Sequence, residues 1–329
     1  MVHRSSCRMP HKRRLQKVFF FGIVLSGCLG ILIVLFACRP AAKNEPASQR
    51  IKVVASIYPL ADFVRNVGGD RVSVVTLLPP AASPHVFSPS PRDLAKISGA
   101  RLFVKIGLGF EFWSEDLLPT GEDRTREVLE TSQGVQTLDE AEGERHDGHI
   151  ANPHIWLDPV LAMEQVRRIE SALIRIDPSH RAEYENNTRS YLDQLRRLDL
   201  ELRKTIAGLP KVLFVAIHPS WRYFARRYGL IEGGVIEKFP GKDPTPTELM
   251  QIVKRIRKAG AAVIVAEPQL NDKAARVLAA EVGAEVVWMD PIGTPDEAAR
   301  STYLKLMRYN LENLQRGYFA GTGNDGGET

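Results

Sequence analysis

Short β-branched and apolar runs alternate along this chain with stretches whose apolar residues recur every three or four positions. The runs "IKVVASI" (51–57), "VSVVTLL" (72–78), "RLFVKIG" (101–107) and "VQTL" (135–138) predict four strands of a first lobe. Between them "LADFVRNV" (60–67) and "PRDLAKISGA" (91–100) carry helical spacing. The style then repeats. "KVLFVAI" (211–217), "GVIE" (234–237), "AAVIVAE" (261–267) and "EVVWMD" (285–290) predict strands of a second lobe. The segments "WRYFARRYG", "PTELMQIVKRIRKAG" and "DKAARVLAAEVG" predict its helices. Strand–helix alternation twice over predicts an α/β fold of two lobes, each a mostly parallel sheet flanked by helices.

One long pattern joins the halves. Tyr184, Thr188, Tyr191, Leu195, Leu198 and Leu202 are spaced by four and three, a single stripe on a continuous helix over residues 178–208. Asp177 is placed to cap it, Pro178 to open it, and Gly208 and Pro210 to stop it. About 30 residues at 1.5 Å each reach roughly 45 Å, enough for one rigid connector between the lobes. The lobes then occupy residues 51–177 and 209–319, and the glycine-rich end, 320–329, is expected to be disordered. The stretch 139–152, "DEAEGERHDGHIAN", reads as a mobile loop.

Charge changes the picture at the start of the chain. The formal net charge is +5, but residues 1–38 hold six Lys or Arg and no acid; the remainder has 38 basic against 39 acidic residues, a net of −1. Nothing in the folded part calls for a nucleic-acid partner. The apolar run Val18 to Cys38 after that basic start reads as a signal peptide or membrane anchor, since roughly 20 apolar residues span a bilayer. Residues 39–50 read as a flexible tether. "LFAC" places Cys38 at a lipobox-like position and makes it the favoured lipidation site, with "LSGC" at Cys28 or an uncleaved anchor as alternatives. All three cysteines lie at or before residue 38, so a metal site in the folded part must use His, Asp or Glu.

Candidate chemistry rests on eight histidines. His3 and His11 fall in the leader, His180 in the first turn of the connector, facing solvent, and His146 and His149 in the mobile loop. His85, His154 and His218 remain, each beside proline and near an aromatic: Phe87, Trp156 and Trp221. His85 follows a predicted strand and His218 ends one, the position where ligands bind in open α/β sheets. Asp290 ends the last predicted strand in the same way; a cap on a following helix is its structural alternative. Three imidazoles and a carboxylate make a tetrahedral set that suits Zn²⁺. Asp158 reads as a helix cap and Glu267 as a partner behind a ligand or a salt bridge. "GLGFEF" and "FPGKD" fall short of dinucleotide and phosphate-loop motifs.

The blocks "SPHVFSPSPRDLAKI", "NPHIWLDP", "AIHPSWRYFARRYGL", "PTPTELMQIVKRIRKAGAAVIVAEPQ" and "VVWMDPIG" together resemble the metal-binding lipoprotein subunits of zinc and manganese ABC importers, over nearly all of residues 51–315. The resemblance implies a two-lobe fold with a rigid connecting helix, a metal site in the cleft, and His85, His154, His218 and Asp290 as the ligands. It implies an ABC permease with a separate ATPase as partner, a lipid-anchored extracytoplasmic location, and a monomer. The manganese-preferring branch tends to carry Glu where His218 stands, so this chain leans to Zn²⁺ with Mn²⁺ as the alternative. His146 and His149 are too few for the long His-rich loop of zinc-specific relatives. The reading is a binding protein and not an enzyme. A surface adhesin and a three-histidine zinc hydrolase are the other hypotheses; a carboxylate in the fourth position argues against the hydrolase.

Overall fold

The computed structural model describes residues 50–117, 126–138, 151–238, 242–260 and 262–320. The leader with Cys28 and Cys38, the tether up to residue 49, His146, His149 and residues 321–329 lie outside the described residues. No described helix is long and apolar enough to cross a membrane.

Two four-stranded sheets form the frame. The first contains β1 (Ile51–Ala55), β2 (Val72–Thr76), β3 (Leu102–Lys105) and β4 (Glu127–Glu130) in the order β2-β1-β3-β4. The second contains β5 (Leu213–Ala216), β6 (Ile231–Val235), β7 (Ala262–Ala266) and β8 (Glu285–Trp288) in the order β6-β5-β7-β8. Every pairing is parallel. The central strands are the most apolar, because helices cover both faces of a parallel sheet. All five residues of β7 are buried.

Helices α1 (Tyr58–Gly68) and α2 (Pro91–Ile97) belong to the first sheet, and α5 (Arg222–Tyr228), α6 (Pro246–Ala259) and α7 (Lys273–Val282) to the second. Between the sheets run α3 (Pro159–Ile176) and the long α4 (Arg181–Ala207), and α8 (Tyr303–Ala320) closes the described chain. The Asp158 carboxylate caps α3, accepting from the Val160 amide at 2.7 Å. The predicted stripe on α4 is buried throughout, from Tyr184 to Leu202. At 27 residues, α4 spans about 40 Å.

Several expectations need correction. The fourth strand is "EVLE" at 127–130, not "VQTL" at 135–138. It is an edge strand in which only Leu129 is buried, so its sequence shows little apolar signal. The strand predicted at 234–237 lies instead at Ile231–Val235, where two glycines dilute the pattern. The connector does not start at Pro178: a 3-10 turn, Pro178–His180, precedes α4. The Asp177 carboxylate caps no backbone there; it takes Ser179 Oγ, His180 Nδ1 and Tyr184 Oη, and His180 stays partly exposed. Finally, α8 runs through Ala320, a helix the strand-by-strand reading passed over.

One continuous core runs from Val53 in β1 through Tyr184 and Leu195 in α4 to Val265 in β7 and Leu314 in α8. The lobes are also riveted by polar contacts. Arg227 of α5 forks onto Asp199 of α4 at 2.6 Å and reaches the Asp158 cap at 3.2 Å. Asp62 of α1 is buried and accepts from the Tyr303 amide at the start of α8, 3.0 Å away. Burial raises its carboxyl above the ordinary carboxylate range.

Candidate metal centre

Three imidazoles meet where the two lobes face each other. His154 lies in the loop leading into α3, His218 just beyond the end of β5, and His85 in the loop between β2 and α2. Their ring centroids are 5.0, 5.1 and 5.5 Å apart. One nitrogen from each lies within 4.8 Å of the others. The order of strands in the second sheet reverses direction between β5 and β7, the crevice where open α/β sheets bind ligands.

Hydrogen bonds fix which nitrogens face inward. His154 Nδ1 lies 2.9 Å from Asn152 Oδ1, which also accepts the His154 amide at 3.0 Å. The Asn152 Nδ2 group donates to the Pro219 carbonyl at 2.7 Å, so its amide orientation is set from both sides. An amide oxygen only accepts, so Nδ1 carries a proton, and in a neutral imidazole Nε2 then presents a lone pair. His218 Nδ1 donates to the buried Glu267 carboxylate at 3.0 Å, with the same result. Glu267 Oε1 also accepts from Ser220 Oγ at 2.5 Å and Trp221 Nε1 at 3.0 Å. The two Nε2 atoms then face each other at 3.3 Å. With both rings neutral, two lone pairs at that distance repel unless a proton or a metal ion lies between them. Two nitrogens each about 2.05 Å from a tetrahedral zinc would be about 3.3 Å apart, so the spacing fits the ion.

The walls are apolar and the space is small. Phe110 sets its ring edgewise 5.7 Å from both His85 and His154. Trp156 is fully buried beneath His154 and donates Nε1 to the Pro291 carbonyl at 2.7 Å, tying the loop to the opposite lobe. The cavity at the imidazoles is about 10 Å³, lined also by Ser83, Glu267, Gln269 and Pro291, room for a single ion or water. A larger cavity of about 310 Å³, beside Phe214, Lys238 and Arg255, contains none of the imidazoles.

Asp290 is not brought into this group. Its Oδ1 accepts from Gln269 Nε2 at 2.8 Å and from the Ile292 and Gly293 amides at 2.9 and 3.0 Å. Its Oδ2 lies 2.5 Å from Arg300 Nη1. No helix follows directly: the next turn is a 3-10 turn, Ala298–Arg300. Asn152, Phe110 and Arg300 were missed by the sequence reading. Only Asn152 left a signal, two residues before His154 in the proline-bounded "NPHIWLDP".

A second buried carboxylate backs the site from the first lobe. Glu111 accepts from Ser56 Oγ at 2.7 Å and from the Ile106 and Gly107 amides at 2.8 and 3.0 Å. It thereby holds the turn that aims Phe110 at the histidines. That turn is demanding: Gly107, Leu108 and Gly109 all have positive φ, and Leu108 at 56° is a non-glycine in the left-handed region. Burial raises the Glu111 carboxyl above its ordinary range, against the three donors that lower it.

Comparisons with known proteins agree with this geometry. A family model described as "ZnuA: Zinc-uptake complex component A periplasmic" matches residues 53–317. The chain is 27% identical over 307 residues to the high-affinity zinc uptake system protein ZnuA of Bacillus subtilis (strain 168), covering 89% of this chain and 95% of that protein. It is 27% identical to the manganese ABC transporter substrate-binding lipoprotein PsaA of Streptococcus anginosus, covering 88% and 98%. Among solved structures, the laminin-binding protein Lmb of Streptococcus agalactiae, described as bifunctional with adhesin and metal-transporting activity, superposes with a TM-score of 0.72 at 30% identity, covering 82% of this chain and all of that one. Fold, histidine cluster and sequence match agree: the chain belongs to the ZnuA family of periplasmic zinc-uptake components.

Proposed function

We propose that this protein captures Zn²⁺ outside the cytoplasmic membrane and delivers it to an ABC permease driven by a separate ATPase, with Mn²⁺ as the alternative cargo. The observation that carries the reading is the pair of Nε2 atoms held 3.3 Å apart, each ring oriented by a hydrogen bond on its far side. His85, His154 and His218 are the proposed ligands, with Asp290 as the proposed fourth. Glu267 and Asn152 hold imidazoles in register. The task is binding and release without catalysis, and a one-atom cavity suits it.

Protons compete with the metal for the imidazole nitrogens, so affinity falls as the medium becomes acidic. The proposed anchor is a lipid on Cys38, followed by the tether to residue 50, and the protein acts as a monomer. The likeness to Lmb favours a second role as a surface adhesin, which would persist after the histidines are removed. The test is calorimetric titration of ZnCl₂ into wild type, His85→Ala and His218→Ala, with circular dichroism to confirm folding. Both variants are expected to stay folded and lose about 100-fold or more in affinity. Wild-type affinity in both would overturn the assignment.

A further inference from the structure

We propose that the amino-terminal end of the first sheet is a docking surface for a membrane rich in anionic phospholipid, on which this lobe rests while the metal centre stays open to the medium. The inference rests on the proposed anchor at Cys38 and adds a surface remote from the imidazoles.

The four strands of the first sheet are parallel and so begin at one end of it. The residue before each strand is an arginine: Arg50 before β1, Arg71 before β2, Arg101 before β3 and Arg126 before β4. In the order β2-β1-β3-β4 they form a row, roughly 15 Å long at about 4.8 Å between strands. Lys52 adds a fifth cation, one residue into β1. The corresponding positions of the second sheet are Val212, Leu230, Ala261 and Ala284, with no charge among them. Residues 39–329 carry a net charge of −1, so the row is a local concentration and not a share of a general excess.

Capping of helix ends does not account for the row. Basic side chains do meet backbone carbonyls here: Lys52 Nζ donates to Ser98 at 2.6 Å and Arg101 Nη2 to Ile176 at 3.2 Å, at the ends of α2 and α3. The helices of the second sheet end at the same level without such donors, on Gly229, Gly260 and Gly283. A carbonyl also leaves the charge of its donor intact, where a carboxylate would offset it. Carboxylates do meet the flanks of the row: Glu183 accepts from Arg71 Nε at 2.9 Å, and Glu127 pairs with Arg175. In its middle Arg101 is exposed, and Arg50 and Lys52 are partly so.

The chain itself points to the occupant. Arg50 leads directly into β1, and residues 39–49, which join it to the proposed lipid on Cys38, carry Arg39 and Lys43 against Glu45 alone. Twelve residues reach about 40 Å at most, so an anchored chain keeps the row near the headgroups. Anionic headgroups attract Lys and Arg that come within a Debye length, about 8 Å at physiological salt. His85 lies beyond the opposite, carboxyl end of β2, so a lobe resting on this row leaves the metal centre uncovered.

The experiment reconstitutes the full chain into vesicles of phosphatidylcholine alone or mixed with phosphatidylglycerol. Amide hydrogen exchange is followed at residues 98–102, beside the row, and at 229–231, the matching end of the second sheet. Exchange at 98–102 is expected to slow on the anionic vesicles only, exchange at 229–231 to be the same on both, and high salt to remove the difference. Each cation removed should lower the docked population about fivefold, so Lys52→Gln with Arg101→Gln should abolish the protection. Arg101→Gln alone, at an exposed side chain, should weaken it and covers the case in which the double variant does not fold. Zinc affinity should be unchanged in both variants. Equal exchange of wild type on the two vesicles, protection that survives the double variant, or the same protection from inorganic phosphate without vesicles overturns the proposal. A wild type that leaves neutral vesicles but is protected on anionic ones would remove the proposed anchor and keep the docking surface. His218→Ala should retain the protection, so a failure of the metal assignment and a failure of this surface are read separately.

Discussion

The two lobes share a strand order and place a buried glutamate at the same point in it, beyond the third strand in chain order, yet the two carboxylates do different work. In the first lobe Glu111 lies past β3, takes a hydroxyl from Ser56 beyond β1, and spends its remaining capacity on backbone amides. In the second lobe Glu267 follows β7 directly, and its donors are side chains beyond β5: His218, Ser220 and Trp221. In both lobes of this chain a glutamate beyond the third strand ties adjacent strand ends together. Whether it becomes part of a binding site depends on what donates to it. A backbone amide makes it a brace, and an imidazole makes it the group that sets a tautomer.

The largest effect expected from this contrast is on Glu267. Its replacement by Ala leaves His218 Nδ1, Ser220 Oγ and Trp221 Nε1 without their shared acceptor. Zinc affinity should fall by about 10- to 100-fold, because the imidazole loses both orientation and basicity. Glu267→Gln keeps the shape and should fall between that variant and wild type. Calorimetric titration reads the effect, and wild-type affinity in Glu267→Ala would remove the carboxylate from the site.

Glu111→Gln should instead act on stability. The amide nitrogen replaces one acceptor, so one of the Ser56, Ile106 or Gly107 donors is stranded in a buried place, at a cost of about 1–3 kcal/mol. Zinc affinity should be nearly unchanged as long as Phe110 keeps its place. Urea unfolding and calorimetry on the same sample decide this. A loss of affinity as deep as that of Glu267→Ala would show that the brace and the tautomer-setting group are one device after all.

That contrast also marks what the sequence could reveal. The buried parallel strands were legible, because β1, β3, β5 and β7 carry dense apolar runs that only a covered sheet requires. The three histidines were legible because a proline next to each singles out its loop. The edge strand β4 was hidden, since "EVLE" buries one side chain and reads as polar surface. The commitment of Asp290 was hidden for a different reason. A carboxylate at a strand end looks like a ligand in sequence, and its partner Arg300 sits in a turn with no periodic pattern. Polar partners that meet only through a tertiary turn leave no spacing to read, and this limits how far a ligand set can be inferred from one chain.

A smaller effect is expected from two matching caps. Ser90 and Asp93 form a capping box on α2, and Thr245 and Glu248 form one on α6. Each removal of the hydroxyl should cost about 1 kcal/mol or less. The boxes differ in what they adjoin: α2 starts six residues after His85 and carries its loop, whereas α6 starts far from any imidazole. Ser90→Ala should therefore weaken zinc binding measurably and Thr245→Ala should not. Equal losses of affinity would mean that the His85 loop is positioned by the sheet and not by the helix.

The smallest effect lies in acid, where two carboxylates of the first lobe should pull in opposite directions. The Lys96 ammonium, with the Ser90 hydroxyl and amide, lowers Asp93 to about 2 against burial that opposes it. A folded carboxylate held below its unfolded value binds protons later than the unfolded chain does. Its contribution is complete above the ordinary value of 3.8 and is lost as pH falls through about 2. Glu111 has the reverse sign: burial raises it, the fold takes up its proton first, and folding gains relative stability as pH falls through the raised value. Asp93→Asn should therefore differ from wild type near neutrality and converge on it in strong acid. Glu111→Gln should diverge from wild type as acid is added, because wild type gains what the variant cannot. Unfolding midpoints in urea, followed from neutral pH down to about 2 for both variants, separate the two signs. Parallel curves for the two variants would show that the two carboxylates respond to acid as a single surface charge, and the distinction drawn between a brace and a cap would then have no titration to support it.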